Sequence, residues 1–100
     1  MAEPWHVTVA PHNYNSTTLG LASTLHVSAC ISNFLITEYF VNFEAMGREL
    51  TRDGGFVVKD SSIDLPTRPG LGIDLDEAAL RRHPLQSRRP RHIRSFDEER

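Results

Sequence analysis

Two residues in the first half of the chain have the type and position needed for proton transfer, His12 and Glu38. His12 follows Pro11, which has no backbone N–H and ends the β-favouring run at 7–10. Imidazole changes charge near neutral pH, so a histidine at the end of a strand is a candidate general base. Considered by position alone, His12 is more often a loop residue hydrated by water.

The segments around these two residues predict a βαβ unit. A buried strand is expected at 6–10, then a polar loop, a helix ending near Cys30 and a second buried strand at 34–37. Strands joined in this way run parallel with a right-handed crossover. Because α/β folds place their chemistry at the carboxyl ends of parallel strands, His12 and Glu38 are expected to share one rim.

The predicted helix carries its apolar residues on one side and small residues around them. The expected core positions are Leu21, Ala22, Leu25 and Ala29. A hydroxyl of Ser16 or Thr17 is expected to cap its first turn. In the loop before it, Asn13, Tyr14 and Asn15 could contact substrate hydroxyls or simply form the turn.

The pattern in the second half of the chain predicts shorter helices and strands. Residues 41–50 favour a short helix or an irregular turn, and 56–65 favour a β-hairpin with its loop at 59–61. The Pro- and Gly-rich stretch at 66–72 turns the backbone, and a helix is expected over 74–82.

Three parts are therefore predicted: 1–50 as a barrel-like segment, 51–84 as the hairpin, Pro-Gly-Leu-Gly stretch and helix, and 85–100 as a basic tail without stable structure.

Composition excludes several classes of function. The chain has 100 residues and a net charge of −2, which recruits neither nucleic acid nor a membrane surface. The single Cys30 excludes an internal disulfide, is expected to be a small core residue, and fits a cytoplasmic protein. No signal peptide or membrane-spanning run is expected. His6 and His26 are expected to be structural, since their spacing with His12 is not that of a zinc site.

Four stretches occur in an order that resembles a known enzyme family. They are the run at 9–13, the pair Leu25-His26, the run at 33–38 and the run at 65–74, which contains Pro-Gly-Leu-Gly-Ile-Asp. Over about residues 4–84, the chain resembles the C-terminal part of the mandelate racemase/muconate lactonizing branch of the enolase superfamily. The nearest likeness is to acid-sugar dehydratases of the galactonate or gluconate type.

The resemblance implies an α/β fold, a C-terminal fragment of a modified (β/α) TIM-type barrel. Residues 7–10 and 34–37 would be its seventh and eighth strands, and the hairpin and the extended segment after it would pack toward a capping domain. His12 would be the general base, Glu38 would hold the substrate carboxylate or enolate, and Asn13 would contact substrate. Enolase-superfamily enzymes are known to stabilise the enediolate with Mg²⁺. The ligands of that ion would come from strands earlier than those matched here.

The implied activity is a hydro-lyase that removes the proton α to a carboxylate and then eliminates water. A racemase or cycloisomerase of the same superfamily is an alternative, and so is an inactive remnant that acts as an interaction module. The complete enzyme is expected to act on a small sugar acid as a homo-oligomer, without nucleic acid or membrane. We expect the 100-residue chain alone to fold poorly, because two barrel strands without neighbours leave open edges and an exposed apolar helix face. We also expect it to be inactive, because the metal ligands and the general acid are not in it.

Overall fold

A computed structural model describes residues 2–14 and 16–87 of the chain. Helices α1, α2 and α3 are Thr18–Cys30, Glu44–Glu49 and Glu77–Arg82, strands β1 and β2 are Val58–Lys59 and Ser62–Ile63, and short 3-10 helices cover Glu3–Trp5 and Val41–Phe43. Among these elements, no helix has the length and hydropathy that a membrane crossing requires. The part of the predicted tail from residue 88 onward lies outside the described residues.

Helix α1 confirms the prediction from the apolar spacing, and it carries most of the core. Leu21, Ala22 and Leu25 are buried on its inner side. Ala29, predicted on the same stripe, is exposed. Thr17 takes the extended N-cap conformation, but its hydroxyl makes no capping hydrogen bond. Helix α1 ends at Cys30, as predicted, but the predicted hydroxyl cap at its first turn is absent.

The pairing of the two predicted strand segments is parallel, as expected for a βαβ unit. Val9 and Phe34 form a parallel bridge. The Val9 N–H donates to the Asn33 carbonyl at 2.8 Å, and the Leu35 N–H donates to the Val9 carbonyl at 2.9 Å. Helix α1 connects the two segments, so the crossover has the predicted order of elements.

The prediction that both segments are buried strands is wrong. They form one bridge and no extended ladder, and Val7, Leu35 and Ile36 are 52%, 64% and 63% exposed. Apolar strand residues become buried only when other elements cover them on both faces. Within residues 2–14 and 16–87, no third strand pairs with this bridge and no barrel closes.

Two further predictions about this region are also wrong. His6 does not begin a strand, because it ends the 3-10 helix with φ of 53°, in the left-handed region. Cys30 is an exposed residue at the end of α1 and does not contribute to the core.

The predicted hairpin is present, with a loop one residue shorter than expected. Strands β1 and β2 pair antiparallel, with Lys59 opposite Ser62. The loop is therefore Asp60-Ser61, and both residues have positive φ, 47° and 59°. This is the combination that a two-residue type I′ turn requires, and it matches the twist of the strands.

Helix α3 begins three residues later than predicted, because Asp76 is its N-cap. The Asp76 backbone is extended, and its carboxylate accepts from the N–H groups of Ala79 and Ala78 at 3.1 and 2.8 Å. These two hydrogen bonds, that of Ala79 first, hold the pKa of Asp76 below its ordinary value. Asp76 thus acts as the N-cap of α3.

Contacts of α3 attach the second half of the chain to α2. Thr51 and Leu75 form an antiparallel bridge just before α3. Beyond it, the Glu49 carboxylate accepts from Arg82 at 3.0 Å and contacts His83 at 3.1 Å. The hydrogen bond from Arg82, followed by that from His83, lowers the pKa of Glu49.

The glycine-rich segment turns where the sequence predicts. Gly70 and Gly72 have φ of 69° and 72°, a conformation that suits residues without a Cβ. Between them, the Leu71 carbonyl accepts from the His26 ring at 3.3 Å, which joins this segment to α1. His26 thus has the structural role that its position suggests.

Candidate active site

The parallel pairing continues to the ends of both segments and brings residues 12 and 38 together. The Pro11 carbonyl accepts from the Glu38 N–H at 3.2 Å and from the Thr37 hydroxyl at 3.4 Å. Pro11 still accepts hydrogen bonds although it cannot donate one. Its carbonyl therefore sets the register that places His12 beside Glu38.

The Glu38 carboxylate lies between the backbone and the ring of the His12 loop. Oxygen Oε2 accepts from the Asn13 N–H at 2.8 Å and lies 3.3 Å from Nε2 of His12. The side chain of Glu38 is 39% exposed and that of His12 is 78% exposed. A potential base and a carboxylate thus stand side by side, and both can be reached by a small molecule.

Asn13 occupies a different position from the one predicted. The residue is only 4% exposed and lines a small cavity between α1 and α2. Its backbone N–H, and not its side-chain amide, makes the contact with Glu38. A contact between the Asn13 side chain and substrate stays a prediction, whereas the backbone contact is a positioning role that sequence reasoning missed.

A row of aromatic rings extends from His12 away from the strand ends. The rings of His12 and Tyr14 are stacked 6.1 Å apart at 18°. Tyr14 meets Phe40 edge to face at 4.7 Å, and Phe40 meets Phe43 in the same way at 4.8 Å. Such pairs favour one ring orientation. Sequence analysis missed Phe40, although Tyr14 and Phe40 each lie two residues beyond a candidate site residue.

The described residues do not provide a magnesium site. No group of three or more His, Cys, Asp or Glu side chains within 2–14 and 16–87 could hold a metal ion. Mg²⁺ requires near-octahedral oxygen coordination. The single carboxylate beside His12 already contacts the Asn13 N–H and the imidazole, so this set does not fit the ion by itself.

Two parallel segments joined by a helix, with a histidine and a glutamate at their shared rim, have the arrangement of a βαβ unit in a β/α domain. The model of the enolase C-terminal domain-like family matches residues 1–79. The chain belongs to this family, which confirms the resemblance read from its motifs.

Two curated relatives are similar to the chain. A D-galactonate dehydratase family member from Streptomyces bingchenggensis is 33% identical over 87 residues, which cover 86% of this chain and 21% of the relative. A D-xylonate dehydratase from Haloferax volcanii is 28% identical over 86 residues, which cover 86% of this chain and 20% of the relative. No solved structure matches the chain. The chain spans about a fifth of the length of these relatives.

Proposed function

We propose that this chain is the base-bearing C-terminal part of a sugar-acid dehydratase of the enolase superfamily. The observation that carries the proposal is the 3.3 Å approach of His12 Nε2 to Glu38 Oε2 at the end of a parallel pair. Family membership and the names of both relatives support it. Residues 7–10 and 34–37 would then be the seventh and eighth strands of the barrel.

In this proposal His12 takes the proton from the carbon α to the substrate carboxylate. Its side chain is 78% exposed, so a small acid can reach the ring although Nε2 faces Glu38. Glu38 keeps the ring near the rim through Oε2, and we propose that its other oxygen contacts the substrate. The Asn13 N–H fixes the carboxylate, so the pair is positioned before substrate binds.

We assign the other steps of the reaction to segments of the complete enzyme that lie outside the fifth of the relatives' length matched by this chain. Loss of the β-hydroxyl needs a general acid, and the enediolate needs an electrophile. Enolase-superfamily enzymes use Mg²⁺ as that electrophile. The hairpin and the segment after it are proposed to pack toward a capping domain, and the complete enzyme is proposed to be a homo-oligomer.

A chimera tests the catalytic role of His12. Residues 1–87 replace the matched fifth of the Haloferax relative, and dehydration of D-xylonate and D-galactonate is measured. His12→Gln should lower kcat by about 10²–10⁴-fold, the usual contribution of a general base. His26→Gln is the matched control, because the His26 ring hydrogen-bonds the Leu71 carbonyl on a segment away from Glu38. A His12→Gln chimera within twofold of its parent would refute the proposal.

The isolated chain is proposed to be inactive, and this needs a separate test. Purified protein should show no dehydration of either sugar acid and a broad thermal transition, since the bridge leaves strand residues uncovered. Robust turnover by the 100-residue protein would contradict this statement.

The exposed apolar surface supports a second candidate, an interaction module without catalysis. A groove of about 640 Å³ lies among α1, the 34–37 segment and the hairpin, and it is lined largely by apolar residues. Exposed apolar surface of this kind is typical of binding sites. A cooperatively folded species of defined size in size-exclusion chromatography would favour this candidate, whereas aggregation would favour the enzyme part.

A further inference from the structure

The groove among α1, the 34–37 segment and the hairpin contains a buried polar group without a partner. Ser28 of α1 lines the groove and is only 7% exposed. Within residues 2–14 and 16–87, its Oγ makes no hydrogen bond. Buried polar side chains in folded proteins are nearly always hydrogen-bonded. The Ser28 hydroxyl therefore indicates that the groove receives an occupant with a hydrogen-bonding group.

The other residues of the lining define the chemistry of that occupant. None of the described residues that line the groove is charged, and the polar ones all carry hydroxyl groups: Ser28, Thr37, Tyr39, Ser61 and Ser62. An uncharged surface does not attract a phosphate, a nucleic acid or a charged peptide. The groove suits apolar side chains, with one hydrogen-bonding group placed opposite Ser28.

The openness of the groove argues against a small molecule. Its volume of about 640 Å³ is that of a ligand pocket, but such pockets bury about 70–90% of the ligand surface. Leu35 and Ile36 line the groove and are themselves 64% and 63% exposed. Walls this exposed do not enclose a ligand, so the shape favours a protein segment.

A segment of the same polypeptide is favoured over a separate protein. The chain covers 21% and 20% of its two relatives, so the larger part of each lies outside the match. A covalently attached segment binds at a high effective concentration, which a separate partner lacks. The groove also extends along the 34–37 segment, where no third strand pairs within the described residues.

We propose that this groove docks an apolar segment of the complete enzyme from outside the 100 residues, and that this segment supplies the hydrogen-bond partner of Ser28. The inference rests on the proposed function, because it takes the remainder of the dehydratase as the occupant. Strands β1 and β2 then form one wall of an internal interface. The interaction-module candidate differs, since there the groove receives a separate partner.

Reactivity of introduced cysteines measures whether the groove is covered. In a Cys30→Ser background, which has no other cysteine in the chain, Leu35→Cys and Val58→Cys place a thiol on two walls of the groove. Val57→Cys is the matched control, because Val57 adjoins Val58 but does not line the groove. Modification by N-ethylmaleimide is followed at each site by peptide mass spectrometry, in the 100-residue chain and in the chimera with the Haloferax relative.

The proposal predicts protection only in the chimera and only inside the groove. Reaction at positions 35 and 58 should be slower there by about tenfold or more than in the 100-residue chain. Folding alone does not explain such protection at position 35, because the described structure leaves Leu35 64% exposed. Reaction at position 57 should change by less than about threefold.

Stability of the chimera tests the hydrogen bond of Ser28. Ser28→Ala leaves the partner in the docked segment unsatisfied, so the unfolding equilibrium constant in urea should rise about 5–150-fold. Ser23→Ala is the matched control on the same helix. Ser23 is exposed and its hydroxyl donates to the Leu19 carbonyl, so a change within about threefold is expected.

Several results would overturn the proposal. Positions 35 and 58 that stay reactive in the chimera would show an open groove, and equal protection at position 57 would show that the effect is not specific. Protection in the 100-residue chain itself would assign the groove to a second copy. A Ser28→Ala chimera as stable as its parent would remove the hydrogen bond, and a chimera that does not fold would show that the segment does not dock. None of these readouts measures turnover, so dehydration that does not depend on His12 would refute the proposed function while protection still decides this inference.

Discussion

The bond between Glu38 and the Asn13 N–H gives the sharpest test of how the candidate active site is held together. The structure places Oε2 of Glu38 2.8 Å from this nitrogen. A hydrogen bond to a charged group contributes about 1.5–3 kcal/mol, and a neutral one about 0.5–1.5 kcal/mol. Since Glu38 is partly exposed, we take the lower end, about 1.5–2 kcal/mol for the carboxylate.

These energies predict two different rates of amide exchange for Asn13. Glu38→Ala removes the acceptor and should speed exchange about 10–30-fold, because about 1.4 kcal/mol corresponds to tenfold. Glu38→Gln keeps a neutral acceptor, loses about 0.5–1 kcal/mol and should speed exchange roughly 2–5-fold. Exchange of the Asn13 N–H that is fastest in Glu38→Ala, slower in Glu38→Gln and slowest in the unmodified chain is the result specific to this bond.

Hydrogen exchange is measured by NMR at constant pH, with the Val9 N–H as internal reference. Val9 donates to the Asn33 carbonyl in the same pairing but does not touch Glu38. The ratio of the Asn13 rate to the Val9 rate removes any global loss of stability. A ratio that stays within twofold in Glu38→Ala would show that Glu38 does not hold the loop, and the positioning argument would fail.

Four other substitutions test the packing and the cap of α3, and urea unfolding is followed in the chimera because the isolated chain is expected to unfold broadly. Gly72→Ala should destabilise the chain by about 2–5 kcal/mol in urea unfolding, since φ of 72° costs about 1–2 kcal/mol and the new Cβ meets Pro66. Gly70→Ala shares the positive φ but faces open space, so about 1–2 kcal/mol is expected, and equal losses would contradict the Pro66 contact. Leu25→Ala, in the buried stripe of α1, should lower stability by about 2–5 kcal/mol, and a loss below about 1 kcal/mol would remove Leu25 from the core. The pKa of Asp76 is lower in the folded chain than its ordinary value of 3.8. The carboxylate should therefore stabilise α3 at pH values above 3.8, and this stabilisation should be lost as the pH falls through the folded pKa. Acid titration by circular dichroism should therefore show a loss of helix that Asp76→Asn, a neutral cap, makes shallower.

Sequence reasoning succeeded where a local pattern determines a long-range consequence. The order strand, helix, strand requires parallel pairing, and parallel pairing requires that residues 12 and 38 meet at one rim. The four-residue spacing of apolar residues in α1 correctly predicted that Leu21 and Leu25 are buried core residues. The family followed from the order of short motifs, none of which is specific alone.

It failed where the outcome depends on neighbours that no local pattern encodes. The 34–37 run has strand composition, but its burial depends on covering elements, and Leu35 remains exposed. Cys30 is apolar by type but occupies the exposed end of a helix. The contact of Asn13 with Glu38 uses the backbone N–H, which almost every residue type has, so the residue type at position 13 does not predict it.

The exposed position of Cys30 has a practical consequence. It is the only cysteine of the chain, so a maleimide dye would attach at a single place without further mutagenesis. Helix α1 has 13 residues and is therefore about 20 Å long, which separates the dye from the opposite helix end. A fluorophore there could report on folding or assembly while leaving the histidine loop untouched.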